Sequence, residues 1–287
     1  MRWKNKRRSS NIEDRRSNRR LPRGTKRVSG SFILFAIVAI FVLMGRNPLK
    51  LLDEGAAPQQ QAQNSTQQSS APDENADFVS VILASTEDAW SAVFQAAGYR
   101  YQPPKLVLFT DHVRSACGMT SSATGPFYCP GDSKIYIDLG FFQELQAMGA
   151  KGDFARAYVL AHEVGHHIQN LEGTSMKIQN LQRRSNKHTA NKLSVLTELQ
   201  ADCYAGIWIH HYEKQNNILE PGDIEEGIRA AASIGDDRMQ RNAGQHVNPD
   251  SFTHGSSKDR THWLKVGMKY GDTGRCNTFK HAGTNQF

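Results

Sequence analysis

From Phe78 onward the apolar residues recur at intervals of three and four: Phe78, Val79, Ile82, Leu83, Ala89, Trp90, Val93, Phe94 and Ala97, with Gly98 following. That period puts them on one stripe of a helix, and the glycine is a stop, so the pattern predicts an amphipathic helix from near Asp77 to Gly98. Lys105-Leu-Val-Leu-Phe-Thr110 reads as a short buried strand. Phe127-Tyr-Cys129 and Lys134-Ile-Tyr-Ile-Asp138 flank the turn cluster Pro130-Gly-Asp-Ser133, which predicts a hairpin. From Gly140 the helical period takes over, giving helices at approximately 140–148, 152–171, 176–214 with a break near 185–191, 221–241 and 256–270. Few strands followed by many helices define an α+β domain, mainly helical, with a small sheet beside the helical body.

Ahead of that domain, assigned to residues 77–287, the pattern changes twice. Residues 55–76 are dominated by Gln, Ser, Ala, Asn and Pro and hold no aromatic residue. Such a stretch cannot bury enough surface to offset its ordering entropy, so residues 47–76 read as a disordered linker. Before it lies the apolar run Phe32-Ile-Leu-Phe-Ala-Ile-Val-Ala-Ile-Phe-Val-Leu-Met44, thirteen residues, or about eighteen when Val28 to Gly45 is counted. That length sits at the lower limit for spanning a bilayer and also fits the core of a signal peptide. No small-x-small cleavage site follows Met44 directly, and the basic stretch before the run is long. Residues 28–46 therefore read as a retained transmembrane signal-anchor.

Charge divides the chain in the same place. Residues 1–27 carry twelve Lys or Arg against Glu13 and Asp14, a local charge of +10; the whole chain is +7, which leaves about −3 for the rest. Positive charge flanking an apolar segment stays on the cytoplasmic side, so residues 1–27 read as a basic cytoplasmic tail and the domain is expected outside the membrane. A basic arm can also mark nucleic-acid binding, but this one abuts the apolar run and Trp3 is its one aromatic residue, so no nucleic-acid partner is expected. Four cysteines, Cys117, Cys129, Cys203 and Cys276, suit an extracytoplasmic domain with two disulfides, and Cys117 with Cys129 would close a short loop; buried free thiols are the alternative.

The chemistry is concentrated in Val159-Leu-Ala-His162-Glu163-Val-Gly-His166-His167. Residues four apart on a helix face the same way, so His162 and His166 can present their imidazoles to one metal ion, with Glu163 beside them. A catalytic zinc needs a third protein ligand and an open position, and Glu198-Leu-Gln-Ala-Asp202 lies on a later helix. Glu198 completes a two-His, one-Glu set; Asp202, one turn further, can accept a liganding histidine's ring N–H. One catalytic Zn²⁺ would acidify its water and polarise a carbonyl, while Glu163 serves as base for attack of that zinc-bound water on a peptide bond.

Several further segments accompany that motif: Ala116-Cys-Gly118, Gly125-Pro-Phe-Tyr-Cys-Pro130, Lys134-Ile-Tyr-Ile-Asp138, Glu198-Leu-Gln-Ala-Asp-Cys-Tyr-Ala-Gly206, Gly235-Asp-Asp237, His254-Gly-Ser256 and Cys276-Asn-Thr-Phe279. Over about residues 77–280 the chain resembles the neutral zinc metallopeptidases of bacteria, single-span membrane proteins with a glutamate as third ligand. The resemblance implies a gluzincin-like site, with His162, His166 and Glu198 on zinc and Glu163 as base. It also implies a bacterial inner-membrane protein and paired cysteines. Loop placement together with the family motif makes His254 the first candidate for stabilising the oxyanion. In zinc peptidases resembling this one an edge strand beside the metal helix binds the peptide, and strand 134–138 occupies the corresponding place in the chain.

Other polar residues read as ordinary structure. His167 lies about 140° around the helix from the His162 and His166 face, so it is expected at the surface or behind the ligands. His210 and His211 sit near a helix end. Tyr136 reads as packing, and Asp236 and Asp237 as a helix-surface ion pair with Arg238. The expected function is a membrane-anchored zinc metallopeptidase acting on peptides or proteins. The alternatives are a zinc amidase on cell-wall peptides and a non-catalytic membrane-anchored domain that binds a partner.

Overall fold

The hydrophobic pattern is realised as a four-stranded sheet packed against a helical body. The computed structural model describes residues 1–16 and 73–281. The sheet runs in the order β1-β2-β6-β5, from β1 (Ile12–Asp14), β2 (Lys105–Phe109), β5 (Phe127–Cys129) and β6 (Lys134–Asp138). The pairs β1–β2 and β2–β6 are parallel, and β5–β6 is antiparallel, with Phe127 opposite Tyr136 and Cys129 opposite Lys134. A separate hairpin, β3 (His112–Ser115) with β4 (Gly118–Ser121), precedes β5. The helices are α1 (Glu74–Ala96), α2 (Phe141–Ala147), α3 (Asp153–Leu171), α4 (Thr174–Gln182), α5 (Lys187–Asn216), α6 (Asp223–Ser233), α7 (Asp236–Asn242), α8 (Ser257–Tyr270) and α9 (Thr278–His281).

The expected α+β class and the hairpin of β5 and β6 are present, and the break expected near 185–191 falls at 183–186, where Asn186 caps α5 by accepting from Thr189 N. The single helix expected at 221–241 is two, parted at Gly235, where a Cβ would stand 2.4 Å from Ser257 N. Strand 134–138 is not an edge: β6 lies between β2 and β5, so β5 is the outer strand on that side.

The N-terminal residues correct the domain boundaries. Residues 1–16 are not a free basic tail; they belong to the same folded unit as the rest of the described chain. Trp3 is buried, its ring edge-on to Phe78 and its indole N–H donated to Asp153 Oδ2 at 2.8 Å. Arg2 N donates to Ile218 O, Ser9 N to Ser80 O, and Leu106 N to Asn11 O. Among the described residues of the expected tail, Lys4 pairs with Glu74, Arg7 with Glu87 and Asp88, Arg8 with Asp77, and Arg16 with Asp14 and Asp73. A charge run that looks topogenic in one dimension is an ion-paired seam in three.

Helix α1 starts at Glu74 rather than near Asp77, because the Asp73 carboxylate accepts from Ala76 N and caps it. The expected anchor at 28–46 and the linker up to residue 72 lie outside the described residues. Among the described residues no helix is long and apolar enough to cross a membrane. All four cysteines are paired, Cys117 with Cys129 and Cys203 with Cys276.

If residues 1–16 are part of the fold in solution, Trp3→Ala should destabilise the protein by about 3–5 kcal/mol, the usual loss for a buried tryptophan. Guanidinium unfolding of the purified chain checks this; a loss below about 1 kcal/mol would mean the segment does not dock.

Candidate metal centre

His162 and His166 sit one turn apart on α3, and Glu198 comes to them from α5 because the two helices cross closely. Gly165 lies at the crossing: a Cβ there would stand 2.8 Å from Ala201 O and 3.0 Å from Ala201 Cα. A side chain at residue 165 would push α5 outward and take Glu198 away from the histidines. With glycine in place, one ligand atom each from His162, His166 and Glu198 lies within 4.8 Å of the others. His162 Nε2 is 3.1 Å from Glu198 Oε2, and His166 Nε2 is 3.4 Å from Glu198 Oε1.

Partners behind the site fix which ring nitrogens face inward. His162 Nδ1 donates to Asp202 Oδ1 at 2.9 Å, and His166 Nδ1 to Gln169 Oε1 at 2.9 Å. Both Nε2 atoms are therefore turned toward the Glu198 carboxylate. Lone pairs and carboxylate oxygens facing one another at this range require a cation or protons between them. Atoms bound about 2.0–2.1 Å from one tetrahedral zinc stand roughly 3.3 Å apart, so the spacing and the donor set both fit that ion.

Asp202 is fully buried and saturated. Besides His162 it accepts from Tyr158 Oη at 2.5 Å, from Arg260 Nε at 2.9 Å and from Arg260 Nη2 at 3.0 Å. Burial raises its pKa, but Arg260 and His162 outweigh that and hold it below the usual carboxylate range. Burial likewise works against charge on His162 and His166, yet the carboxylates prevail. His162, beside Asp202 and Glu198, is lifted to about 10, and His166 is raised chiefly by Glu198. Glu198 is driven well down by the two histidines despite its burial. Glu163 moves the other way, because burial outweighs the nearby histidines and raises it.

Gln169 extends the support: it is fully buried and donates to Thr197 O at 2.7 Å and to Gln200 Oε1 at 3.0 Å, while Gln200 donates to Cys276 O at 3.2 Å. Behind His166 the hydrogen bonds thus run to the backbone of the cysteine that pairs with Cys203.

The three metal-ligand candidates and Glu163 line a cleft of about 600 Å³, together with His254 from the loop before α8. His254 Nδ1 lies 3.2 Å from Asp236 Oδ1, and Asp236 Oδ2 accepts the backbone N–H groups of Thr253, His254 and Gly255. The Asp236 hydrogen bond raises the His254 pKa. Asp236 is therefore the anchor of the His254 loop and not a surface partner of Arg238; Asp237 pairs with Arg241. Tyr136 is buried, donates to Asp132 at 2.7 Å and stacks on Phe127, so it belongs to the sheet. His210 and His211 donate to Met268 O and Gly271 O at the C-terminal end of α8. His167 is buried and bonded to Tyr128 and Gln102, so of the two places expected for it, at the surface or behind the ligands, the surface is excluded.

Sequence reasoning missed Arg260, Tyr158 and Gln169. Arg260 had a signal: with Trp263, Leu264 and Gly267 it forms the buried face of α8, so a charge stands on the apolar stripe of a helix. Gln169 and Tyr158 gave none beyond their place on the metal helix.

A helix carrying two inward-facing histidines and a glutamate, with a second helix delivering a third ligand and its supporting aspartate, is the arrangement of a zinc metallopeptidase. Residues 1–279 match the family described as "Putative neutral zinc metallopeptidase", and the chain belongs to that family. The match starts at residue 1, in agreement with the N-terminal segment's place in the fold. The chain is 45% identical to the uncharacterized protein YpfJ of Escherichia coli, over 97% of this chain and 99% of that one. It is 41% identical to an uncharacterized protein of Mycobacterium tuberculosis, over 71% of this chain and 72% of that one. No solved structure matches the chain.

The metal-free protein should show a distinctive pH response. His162 has a folded pKa of about 10 against an ordinary 6.5, so its contribution to stability is complete below pH 6.5 and is lost as the pH rises toward 10. Metal affinity runs the opposite way, because the ligands must be deprotonated to bind. The gap in Tm between zinc-loaded and chelator-treated protein should therefore widen from pH 6.5 to 10. Parallel melting curves across that range would contradict the assignment.

Proposed function

We propose that this protein is a membrane-associated zinc peptidase that hydrolyses peptide bonds by water attack, without a covalent acyl intermediate. The observation that carries the reading is the convergence of His162, His166 and Glu198 at one point, beside a buried Glu163, in an open cleft. A zinc ion held by those three residues would supply Lewis acidity toward the scissile carbonyl and toward water.

The chain's own groups supply the rest. Glu163, with its pKa raised by burial, is suited both to take the proton of the attacking water and to return it to the leaving amine. His254, its pKa raised by the Asp236 hydrogen bond, can offer an N–H to the oxyanion that develops on the carbonyl. Asp202 keeps the His162 Nδ1 proton in place, so Nε2 remains the metal-facing nitrogen.

The cleft favours peptide over anionic sugar. Its lining combines apolar Phe127, Phe141, Met148, Val159, Ile234 and Met239 with uncharged Gln179, Gln182, Ser194 and Thr197. Arg260 is the one Lys or Arg among the lining residues, and its guanidinium is committed to Asp202. β5, the outer strand of the sheet, lines the cleft through Phe127 and Tyr128 and is the strand on which an extended peptide can pair. In this reading β5 takes the role expected of strand 134–138.

Glu163→Gln should leave zinc content unchanged and reduce cleavage of a broad peptide library by at least about 100-fold, the usual scale for a general base. If wild type and variant both bind zinc and neither cleaves, the domain is a non-catalytic binding module and the reading fails.

For location we propose that the peptidase unit lies outside the cytoplasmic membrane, associated with it through residues 28–46. The two disulfides favour an oxidising compartment. Because residues 1–16 fold into the domain, we place them on its side of the membrane, in place of the expected topology with residues 1–27 inside and the domain outside. In this reading, association through residues 28–46 leaves both flanks on one side. In spheroplasts, Ser10→Cys and Lys265→Cys should both react with a membrane-impermeant maleimide. Labelling of Lys265→Cys alone would overturn the shared side; labelling of both after lysis only would overturn the outside location.

A further inference from the structure

His167 follows the ligand His166 but points away from the metal. It is 2% exposed, held edge-on between Tyr128 and Tyr101, with ring centroids 5.4 and 6.0 Å away. Its Nε2 lies 2.7 Å from Gln102 O, and a carbonyl only accepts, so that nitrogen carries the proton. Its Nδ1 lies 3.0 Å from Tyr128 Oη, so in the neutral ring it accepts the Tyr128 hydroxyl proton. Asn170, one turn along α3 from His166, donates to the same Oη at 3.0 Å. The bonds from His167 and Asn170 tie Tyr128 of β5 to the metal helix, while the Gln102 carbonyl orients the His167 ring.

The other side of β5 is pinned as well. Alternation along the strand sends Phe127 and Cys129 to the opposite face, where Phe127 stacks on Tyr136 and Cys129 is bonded to Cys117. β5 is only three residues long and pairs with β6 alone, so few ladder bonds set its place. An outer strand held this way has its distance from the metal fixed by side chains.

We propose that His167 is a positioning residue: through Tyr128 it sets the β5 edge relative to the metal helix, so that a peptide paired on β5 meets the metal centre in register. This rests on the peptidase reading above for its substrate consequence, but not for the positioning itself.

The test uses the full-length zinc-loaded chain as wild type, Tyr128→Phe, His167→Phe and His167→Gln, with fluorescently labelled casein as the probe. Tyr128→Phe and His167→Phe keep the rings and remove the hydrogen bonds. Both should raise KM about tenfold while kcat changes less than twofold, the scale of one or two lost hydrogen bonds. Amide hydrogen exchange should quicken across residues 125–130 and stay unchanged across 159–168, with zinc affinity unaltered. His167→Gln, which can still accept from Tyr128 and donate to Gln102, should restore most of the KM. Unchanged exchange at 125–130 in both Phe variants would overturn the proposal, as would a fall in kcat and zinc affinity at constant KM. Failure of the wild type to cleave casein or any peptide would sink the peptidase reading, while the exchange data would still decide the positioning role.

Discussion

The close crossing of α3 and α5 is the constraint on which the rest depends. Two helices normally pack with axes 8–10 Å apart, and a site that must close three ligands on one ion cannot spare much of that distance. Gly165 against Ala201 brings the backbones together at the one turn where His162 and His166 face Glu198. The same device recurs on the far side of α5, where Gly267 of α8 would carry a Cβ 1.9 Å from Cys203 O. α5 is thus clasped between α3 and α8, and α8 can reach Asp202 with Arg260.

That clasp explains how so much charge is tolerated inside. Arg260, Asp202, His162 and Glu198 form a buried string in which each group meets a partner of opposite character, and each member's cost of leaving water is offset by the next. Removing one member would leave a neighbour uncompensated. The string runs from the cleft to the core, so the chemistry and the packing share residues. Gln169 and Gln200 do similar work behind His166 without charge.

How much of this was legible beforehand follows from the range of each interaction. The ligand helix, the hairpin and the helical body rest on local periodicity, and they lie where the pattern puts them. Glu198 and Asp202 could be named because four-residue spacing on a helix is itself local information. Strand order is not local: nothing in Lys134–Asp138 reveals that β5 will sit outside it. Residues 1–16 misled for the same reason. Their positive charges read as a free arm because the partners of Lys4, Arg7 and Arg8, namely Glu74, Glu87, Asp88 and Asp77, lie far along the chain. His254 was reached through its motif, whereas Asp236 as its anchor needed the loop's geometry.

The docking of the first residues also orders events in time. Trp3 needs Phe78 and Asp153, and Arg2 needs Ile218, so these residues can take their places only once partners far along the chain are present. Loop-closure entropy grows only with the logarithm of the intervening length, so the long wait costs little free energy. What it does set is sequence: α3 and α5 can meet, and the ligands can converge, before the sheet gains β1.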